Sequence, residues 1–373
     1  MKVQKKSKAK KPPGERKVQA GTVPKSAFAE VVHLIEAASR RAFQSVNTAL
    51  IDLYWQVGEY ISRRIAEDGW GKGTVTALAA YIEKGHPGLR GFSPQNLWRM
   101  RQFFEAYRDT PKLSSLLRAL PWSSNLHILT KTKRPEEREF YLRMATRNGW
   151  QVREVARQID GALFERTVLN PPKLSTALRE LHPSAGEVFK DVYLLEFLGL
   201  PETHSEMDLH RSLVRNLGRF IAELGGEFCF VGSYYPLQVG GKDFALDLLF
   251  FHRSLNCLVA IELKIDEFKP EYLGKLEFYL EALDRDVRKP HERPSIGVLL
   301  CATKDSEVVE YALSRSLSPA LVAEYQTRLP DKQLLRAKLH EFFELAESSA
   351  SGTAGSALAP LATTNRKPRQ RRR

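Results

Sequence analysis

The sequence contains little cysteine and no long apolar segment. Its three cysteines are scattered and form no Cys-x-x-Cys pair or Cys/His cluster of the kind that binds zinc. No apolar run approaches the roughly 20 residues that a membrane-spanning helix needs, and the basic N-terminus lacks the apolar core of a secretory signal. We therefore expect a cytoplasmic protein with no membrane contact, whose cysteines Cys229, Cys257 and Cys301 are reduced and lie in the core.

The basic excess of the sequence lies at its two ends. The chain has 373 residues and a formal net charge of +13, but residues 1–25 hold nine Lys or Arg against one Glu, and residues 366–373 hold six Lys or Arg. The body between them is therefore close to neutral. We expect a disordered basic arm at residues 1–24 and a disordered basic tail at residues 347–373. Such segments favour polyanions through nonspecific, salt-sensitive contacts, which gives limited support to a nucleic-acid partner.

The first half of the chain has the spacing of apolar residues that is typical of helices. The length allows two domains, and the periodicity predicts an all-helical domain at residues 25–170. Within it, Ser93 and Pro94 form a typical helix start. The polar side chains near that start are Gln95, Asn96, Arg99 and Gln102. Side chains of these types read base edges in helix-turn-helix proteins, so this helix is a candidate DNA-binding element; the alternative is the solvent-exposed face of a bundle helix.

The second half of the chain predicts a mixed sheet. Residues 171–200 form a connector with one short apolar helix around VYLLEFLGL, and residues 201–346 form the second domain. The segment EMDLHRSLVRNLGRFIAELGG predicts a single amphipathic helix that ends at its Gly-Gly pair. Three strands, a helix, a strand, a helix and a last strand follow. The overall fold class is therefore α+β, with an all-helical domain ahead of a mixed sheet with flanking helices.

Three charged residues interrupt two apolar strands in this half. The stretch FALDLLFFHRSLNCLVAIELK, Phe244 to Lys264, predicts two strands joined by a short polar turn, and the charges are Asp247, Glu262 and Lys264. Burying a charge costs several kcal/mol unless it is paired or binds a metal. Antiparallel pairing would bring the three together. Two carboxylates and an ammonium can hold Mg²⁺ and polarise a phosphate, which indicates a metal-dependent phosphodiesterase; a strand-end ion pair is the structural alternative.

This pattern resembles that of the PD-(D/E)xK nucleases, in which the acids lie on adjacent strands of an αβββαβ core. Beyond the motif, the chain resembles the YhcG family across most of residues 26–345. The blocks that carry the resemblance include YWQVGEYI, FSPQNLWRMRQFF, LPWS, REFYLRMATRNGW, DLLFFHRSLNCLVAIELK and FKPEYLGKLEFYL. The resemblance implies a helical N-terminal domain, often proposed to bind DNA, ahead of a restriction-endonuclease-like nuclease domain.

The resemblance also implies roles for single residues. The implied ligands of Mg²⁺ or Mn²⁺ are Asp247, Glu262 and the backbone carbonyl of Leu263. Lys264 would orient the attacking water or stabilise charge on the phosphate. Lys275, on the next helix, would contact the phosphate of the nucleic acid, or alternatively pair with Glu271 at the surface.

Two positions depart from the family pattern. Ser233-Tyr234 stand where relatives commonly carry Arg-Gln, and Asp208-Leu209-His210 stand where a helix glutamate is expected. Because that acid often supplies a further metal ligand in such folds, His210 is a candidate ligand. Imidazole in place of a carboxylate would favour Mn²⁺ over Mg²⁺; alternatively, His210 packs away from the cleft.

The sequence leaves three functions open. The first is a metal-dependent nuclease that cleaves nucleic acid in defence or repair, with DNA as the expected substrate and RNA as the alternative. The second is a non-catalytic nucleic-acid-binding protein that keeps the nuclease fold. The third is a protein-interaction scaffold whose helical half forms a homo-oligomer. Magnesium-dependent cleavage separates the first function from the second, and DNA affinity at moderate salt separates both from the third.

Overall fold

A computed structural model describes residues 25–354. The predicted basic arm at 1–24 lies outside these residues, as does 355–373 of the predicted tail. A helical first half precedes a six-stranded mixed sheet with flanking helices, which confirms the predicted α+β architecture. Within the described range, no helix is both long and apolar enough to cross a membrane.

Helices account for the regular structure of the first half. They are α1 (Lys25–Asp68), α2 (Lys72–Gly85), α3 (Pro94–Tyr107), α4 (Ser114–Ala119), α5 (Trp122–Lys131), α6 (Pro135–Asn148), α7 (Val152–Asp160) and α8 (Leu163–Leu169), with a 3₁₀ turn at Pro111–Leu113. Their facing side chains form one apolar cluster around Phe103 and Tyr141 and another around Ile61 and Met100. Gly58 lets α1 approach α3 closely, because a Cβ atom at this position would clash with the Met100 carbonyl.

The sheet occupies the second half and has the strand order β1-β6-β5-β4-β3-β2. The elements, in chain order, are α9 (Thr176–Leu181), α10 (Ala185–Val188), β1 (Val192–Leu194), a 3₁₀ turn (Glu196–Leu198), α11 (Glu206–Arg215), α12 (Leu217–Leu224), β2 (Phe228–Val239), β3 (Lys242–His252), β4 (Cys257–Glu267), α13 (Tyr272–Asp286), β5 (Arg293–Thr303), α14 (Ser306–Ser314), β6 (Ala320–Gln326) and α15 (Lys332–Ala354). Strands β2, β3 and β4 form an antiparallel meander, whereas β4, β5, β6 and β1 pair in parallel.

Each face of the sheet is covered by its own helices. Helices α11 and α12 place Leu213 and Phe220 against Phe250 on one face. Helix α13 places Leu276 and Leu283 in the cluster on the opposite face. Strands β4, β5 and β6 are consequently buried on both sides over most of their length, which is why their sequences read as continuous apolar runs.

The sequence interpretation was wrong at three elements. The segment VYLLEFLGL is not a helix: it forms β1, which pairs with the edge of β6, and the 3₁₀ turn that follows. A short apolar run has too few residues for its period to separate a strand from a helix. The predicted single helix after residue 205 is broken into α11 and α12 at Asn216. The spacing of apolar residues in WQVREVARQIDGALFER likewise predicts one helix through Arg166, but the segment is broken into α7 and α8, where Ala162 takes a φ of +52°.

Two further differences concern the cysteines and the end of the chain. Cys257 and Cys301 are buried as expected, but Cys229 is exposed on β2, so the prediction of three core cysteines holds for two of them. The structure also contains α15, which the sequence analysis does not predict and which extends into the predicted tail. Leu339 of α15 is buried in the cluster around Phe103, so the C-terminal helix packs against the helical half.

A buried ionic cluster joins the two halves of the molecule. Glu223, on α12, is fully buried and accepts hydrogen bonds from Arg157 of α7 at 2.5 Å and from Lys190 at 3.0 Å. Burial alone would raise the pKa of Glu223, but these cations outweigh it and lower the pKa to about 2. Glu223 is therefore ionised over the whole physiological range, and its charge is neutralised from the helical half as well as from its own.

Candidate active site

The site lies where strands β3 and β4 stop pairing. Their antiparallel ladder ends at the pair Leu248↔Ile261. Strand β4 continues in the sheet, because it pairs with β5 as far as Glu267. Asp247 is therefore the first residue of β3 beyond the paired region, and the two strands separate at this point.

Asp247 fills the gap between the separating strands with its side chain. Its Oδ2 accepts a hydrogen bond from the backbone N–H of Leu263 at 2.8 Å, so the carboxylate replaces a missing ladder acceptor. The alternation of β3 also breaks here, since Leu246 and Leu248 are two residues apart but pack on opposite faces of the sheet. This irregularity brings the Asp247 carboxylate beside β4, next to the residue that precedes Leu263.

Glu262 is the most deeply buried acid of the site. Its side chain is 1% exposed and lies on the α13 side of β4. Burial raises the pKa of its carboxyl above the ordinary value, and the nearby Asp247 carboxylate raises it further, against the lowering effect of two lysines. The Oε2 atom is buried and has no hydrogen-bond partner among the described residues. An ionised carboxylate held in this way favours a cation at its free oxygen.

Lys264 lies among three oxygen atoms at the mouth of the site. Its Nζ donates hydrogen bonds to the Leu263 carbonyl at 2.8 Å, to Glu206 at 3.2 Å and to Glu262 at 3.3 Å. Burial alone would lower the pKa of Lys264, but the two carboxylates outweigh it and raise the pKa above its ordinary value. Lys264 is therefore a positively charged donor at neutral pH.

Glu206 is a site residue that the sequence analysis missed. It lies in the first turn of α11 and reaches Lys264 from the opposite face of the sheet to α13. The signal that could have found it is its spacing from His210, because residues four apart on a helix face the same way. Asp208, in contrast, caps its own helix by accepting from the Ser205 N–H and hydroxyl, so it does not face the site.

Lys275 reaches the site from α13. Its Nζ donates a hydrogen bond to Oε1 of Glu262, whereas the described contacts include none between Lys275 and Glu271. Burial alone would lower the pKa of Lys275, but the bond to Glu262 outweighs it and raises the pKa. The structure thus places a second ammonium beside Glu262, and the surface pair suggested as an alternative is not formed.

His210 contacts the main chain of the site, not its carboxylates. Its Nε2 lies 3.1 Å from the carbonyl oxygen of Asp247. The ring also stacks on Tyr234, with centroids 3.9 Å apart and planes inclined by 27°. One ring nitrogen of His210 is thereby used in a hydrogen bond, whereas Nδ1 is buried and has no partner among the described residues, so a role of His210 as a metal ligand stays a prediction.

The oxygen atoms of the site fit a hard divalent cation. Asp247, Glu262 and the Leu263 carbonyl supply the donor type that Mg²⁺ and Mn²⁺ prefer, and the unpartnered Oε2 of Glu262 is an available acceptor. Over residues 31–344, no three His, Cys, Asp or Glu side chains converge as a metal-binding group. Mg²⁺ is commonly held by one or two carboxylates, with water and substrate phosphate completing its shell, so a third side chain is not required.

The candidate DNA-binding helix α3 has one residue with a structural role. Ser93 caps the helix as expected, by accepting from the Asn96 N–H. The Asn96 side chain donates to the Gly91 carbonyl and accepts from the Trp122 indole, so it holds the loop before α3. Gln95 and Gln102 are exposed, and Arg99 is half-buried. No ion pair of Arg99 is formed within the described part of the chain, so its guanidinium is available to a ligand.

Both halves of the chain match known protein families. Residues 30–166 match the DUF1016 N-terminal domain, and residues 186–340 match the YhcG PDDEXK nuclease domain. A protein of Escherichia coli (strain K12) named "Putative nuclease YhcG" is 32% identical over 348 residues, which is 83% of this chain and 92% of that protein. The chain belongs to the YhcG family. The YhcG nuclease-domain match contains every residue of the strand separation described above.

Two solved structures are similar to part of this YhcG-family chain. The crystal structure of a repair endonuclease from Pyrococcus abyssi is 14% identical, covers 35% of this chain and 50% of its own, and gives a TM-score of 0.23. The structure of EndoMS in its apo form is 16% identical, covers 35% of this chain and 49% of its own, and gives a TM-score of 0.22.

Proposed function

We propose that this protein is a metal-dependent nuclease that hydrolyses phosphodiester bonds in nucleic acid, with DNA as the preferred substrate, and that it acts in the cytoplasm. The observation that carries the proposal is the position of Asp247 and Glu262 at the separation of β3 and β4, with two ammonium groups beside them. Family membership supports a nucleic-acid substrate.

Carboxylate and carbonyl oxygens would bind the cation. Asp247, Glu262 and the Leu263 carbonyl would hold Mg²⁺ or Mn²⁺. Such an ion, when bound, lowers the pKa of water and neutralises a phosphate. Asp247 also bonds the Leu263 N–H, and this contact holds β4 in position for its neighbour Glu262 to face the same point.

The two lysines act on the phosphate. The raised pKa values of Lys264 and Lys275 keep both protonated at neutral pH, so each can donate a hydrogen bond to a phosphate oxygen as negative charge develops. Glu206 holds the Lys264 ammonium at the mouth of the site. Lys275 is half-exposed and can move from Glu262 to a phosphate without leaving a buried charge of its own.

Helix α3 would bind the nucleic acid outside the cleavage site. Gln95, Arg99 and Gln102 lie at i, i+4 and i+7 and so share one helix face. Their amide and guanidinium groups can bond base edges or phosphates. Asn96, the remaining residue of the predicted set, supports this face by fixing the preceding loop.

One observation favours a second candidate function, a non-catalytic nucleic-acid-binding protein. Both Lys264 and Lys275 bond the same carboxylate oxygen of Glu262. If these ammonium groups neutralise Glu262 permanently, its carboxylate no longer attracts a divalent cation to the free Oε2, and the site retains only a phosphate-binding role.

Cleavage assays separate the two functions. The full chain is incubated with linear, branched and single-stranded DNA in the presence of Mg²⁺, Mn²⁺ or EDTA, and the products are resolved on denaturing gels. The nuclease predicts cleavage of at least one substrate with a metal and none with EDTA. DNA binding without cleavage under every condition would favour the second function.

A further inference from the structure

His210 and Tyr234 form one contact at the site. His210 is 5% exposed and stacks on Tyr234 at 3.9 Å between centroids. Tyr234 lies on β2 opposite Asp247, since its neighbours Ser233 and Tyr235 pair with the residues on either side of that aspartate. The two rings are therefore in contact with each other, and both residues lie next to Asp247.

The hydrogen bond of His210 determines that its Nε2 atom carries a proton. A carbonyl oxygen can only accept, so Nε2 carries the proton and donates it to the Asp247 carbonyl at 3.1 Å. The other ring nitrogen, Nδ1, is buried and has no partner among the described residues. The ring thus makes a single polar contact, and that contact is with the main chain of the residue that carries the first carboxylate.

Tyr234 adopts a strained backbone conformation that other contacts must stabilise. Its φ is +45°, in the left-handed region that side chains other than glycine rarely adopt. The residue is 49% exposed, so burial of Tyr234 contributes little to offset the strain of this backbone. Strained residues of this kind persist where the surrounding contacts hold them, and they cluster at functional sites. The stack on His210 is one contact that stabilises Tyr234 in this conformation.

We propose that Tyr234 and His210 are a positioning pair that holds the backbone of Asp247 so that its carboxylate faces the point where Glu262 would hold a cation; this rests on the proposed nuclease function. Tyr234 fixes the His210 ring by stacking, and His210 fixes the Asp247 carbonyl by its hydrogen bond. With the carbonyl held on one side and the carboxylate held by the Leu263 N–H on the other, Asp247 cannot rotate away where β3 leaves β4.

Two variants remove the pair in different ways. Tyr234→Gly deletes the ring and relieves the backbone, since glycine adopts positive φ without cost. His210→Phe keeps an aromatic ring for stacking but cannot donate to Asp247. Each should weaken Mn²⁺ binding, measured by calorimetry on the full chain, by about tenfold or more, which is the usual effect of losing a group that orients a metal ligand. The melting temperature of Tyr234→Gly should not fall.

The controls are Tyr234→Phe and Ala162→Gly. Tyr234→Phe keeps the ring and should bind Mn²⁺ as the wild type does. Ala162→Gly relieves a similar φ of +52° in the helical half but also removes a buried methyl group, so any rise in its melting temperature is a lower limit for the effect of backbone relief. If both test variants bind Mn²⁺ and cleave DNA as the wild type does, the positioning role is refuted, whereas the proposed nuclease function is unaffected. A parallel loss of affinity and melting temperature in Tyr234→Gly would assign the pair a structural role only. A wild type that neither binds Mn²⁺ nor cleaves would overturn both proposals.

Discussion

At the residue scale, the charges within the two apolar strands were the most informative feature of the sequence. Asp247, Glu262 and Lys264 could be named from their cost of burial alone, and the structure brings them together. Their contacts could not be predicted, because the alternation of side chains between the two faces of β3 breaks at Asp247. Glu206 was missed for a related reason, since its spacing from His210 shows only that the two share a helix face, and its contact with Lys264 depends on how α11 packs across the sheet.

The bond between Lys275 and Glu262 gives a prediction at this scale. Lys275→Met removes an ammonium that competes with a divalent cation for Oε1 of Glu262, so Mn²⁺ should bind several-fold more tightly, as calorimetry would show. Cleavage should slow by about tenfold, because the phosphate loses a charged donor. Lys289→Met, which changes an exposed lysine outside the site, is the matched control. Weaker Mn²⁺ binding in Lys275→Met would show instead that Lys275 supports the carboxylate.

At the scale of elements, the sequence predicted the strands of the meander and missed the breaks between helices. The turn after His252 and the antiparallel pairing of β3 with β4 follow from two apolar runs joined by a few polar residues, and both are found. Asn216 and Ala162 interrupt helices whose apolar periodicity continues on either side of the break. A periodic pattern records which face is buried but not whether the backbone stays helical, because packing decides the second.

Helix α3 offers a prediction in which two neighbouring residues should behave oppositely. Arg99→Ala should weaken binding of a DNA duplex, measured by fluorescence anisotropy at moderate salt, and leave the melting temperature nearly unchanged. Asn96→Ala removes the bonds to Gly91 and Trp122, so it should lower the free energy of unfolding by about 1–2 kcal/mol. Equal DNA affinity in Arg99→Ala and wild type would indicate that this face is only the solvent-exposed side of a bundle helix.

At the scale of the whole molecule, the division into a helical half and a sheet half was readable from the order of elements. The contacts that join the two halves could not be predicted from the sequence. β1 arises in the predicted connector and becomes an edge of the sheet, α15 returns to the helical cluster, and Glu223 binds cations from both sides. Contacts between residues distant in sequence leave no periodic signal, so they appear only in the folded chain.

The buried cluster predicts how stability depends on pH. A glutamate in the unfolded chain titrates near pH 4.3 or so, whereas the cations around Glu223 lower its pKa to about 2 in the folded protein. Ionised Glu223 therefore contributes about 3 kcal/mol to the free energy of unfolding. Because the folded pKa is the lower one, this contribution is complete above the unfolded pKa and is lost as the pH falls toward 2.

Urea unfolding followed by circular dichroism tests this linkage. Glu223→Gln should lower the free energy of unfolding at pH 7 by about 3 kcal/mol, and more if Arg157 is left unpaired. The difference from wild type should shrink as the pH falls below 4. Glu187→Gln, at an exposed partner of Arg147, should change stability by less than about 0.5 kcal/mol. A pH-independent difference for Glu223→Gln would contradict the lowered pKa.

Cleavage by Glu262→Gln tests most directly whether the protein is a metal-dependent nuclease that uses the Glu262 carboxylate. The substitution keeps the shape of the side chain but removes the buried negative charge that would hold the cation. Cleavage of a labelled DNA substrate is measured with wild type, Glu262→Gln and Glu267→Gln, the last being an exposed glutamate on the same strand, with Mg²⁺ and with Mn²⁺. The account predicts metal-dependent cleavage by wild type and Glu267→Gln, and loss of at least about 100-fold in Glu262→Gln with both metals. Undiminished cleavage by Glu262→Gln would contradict it.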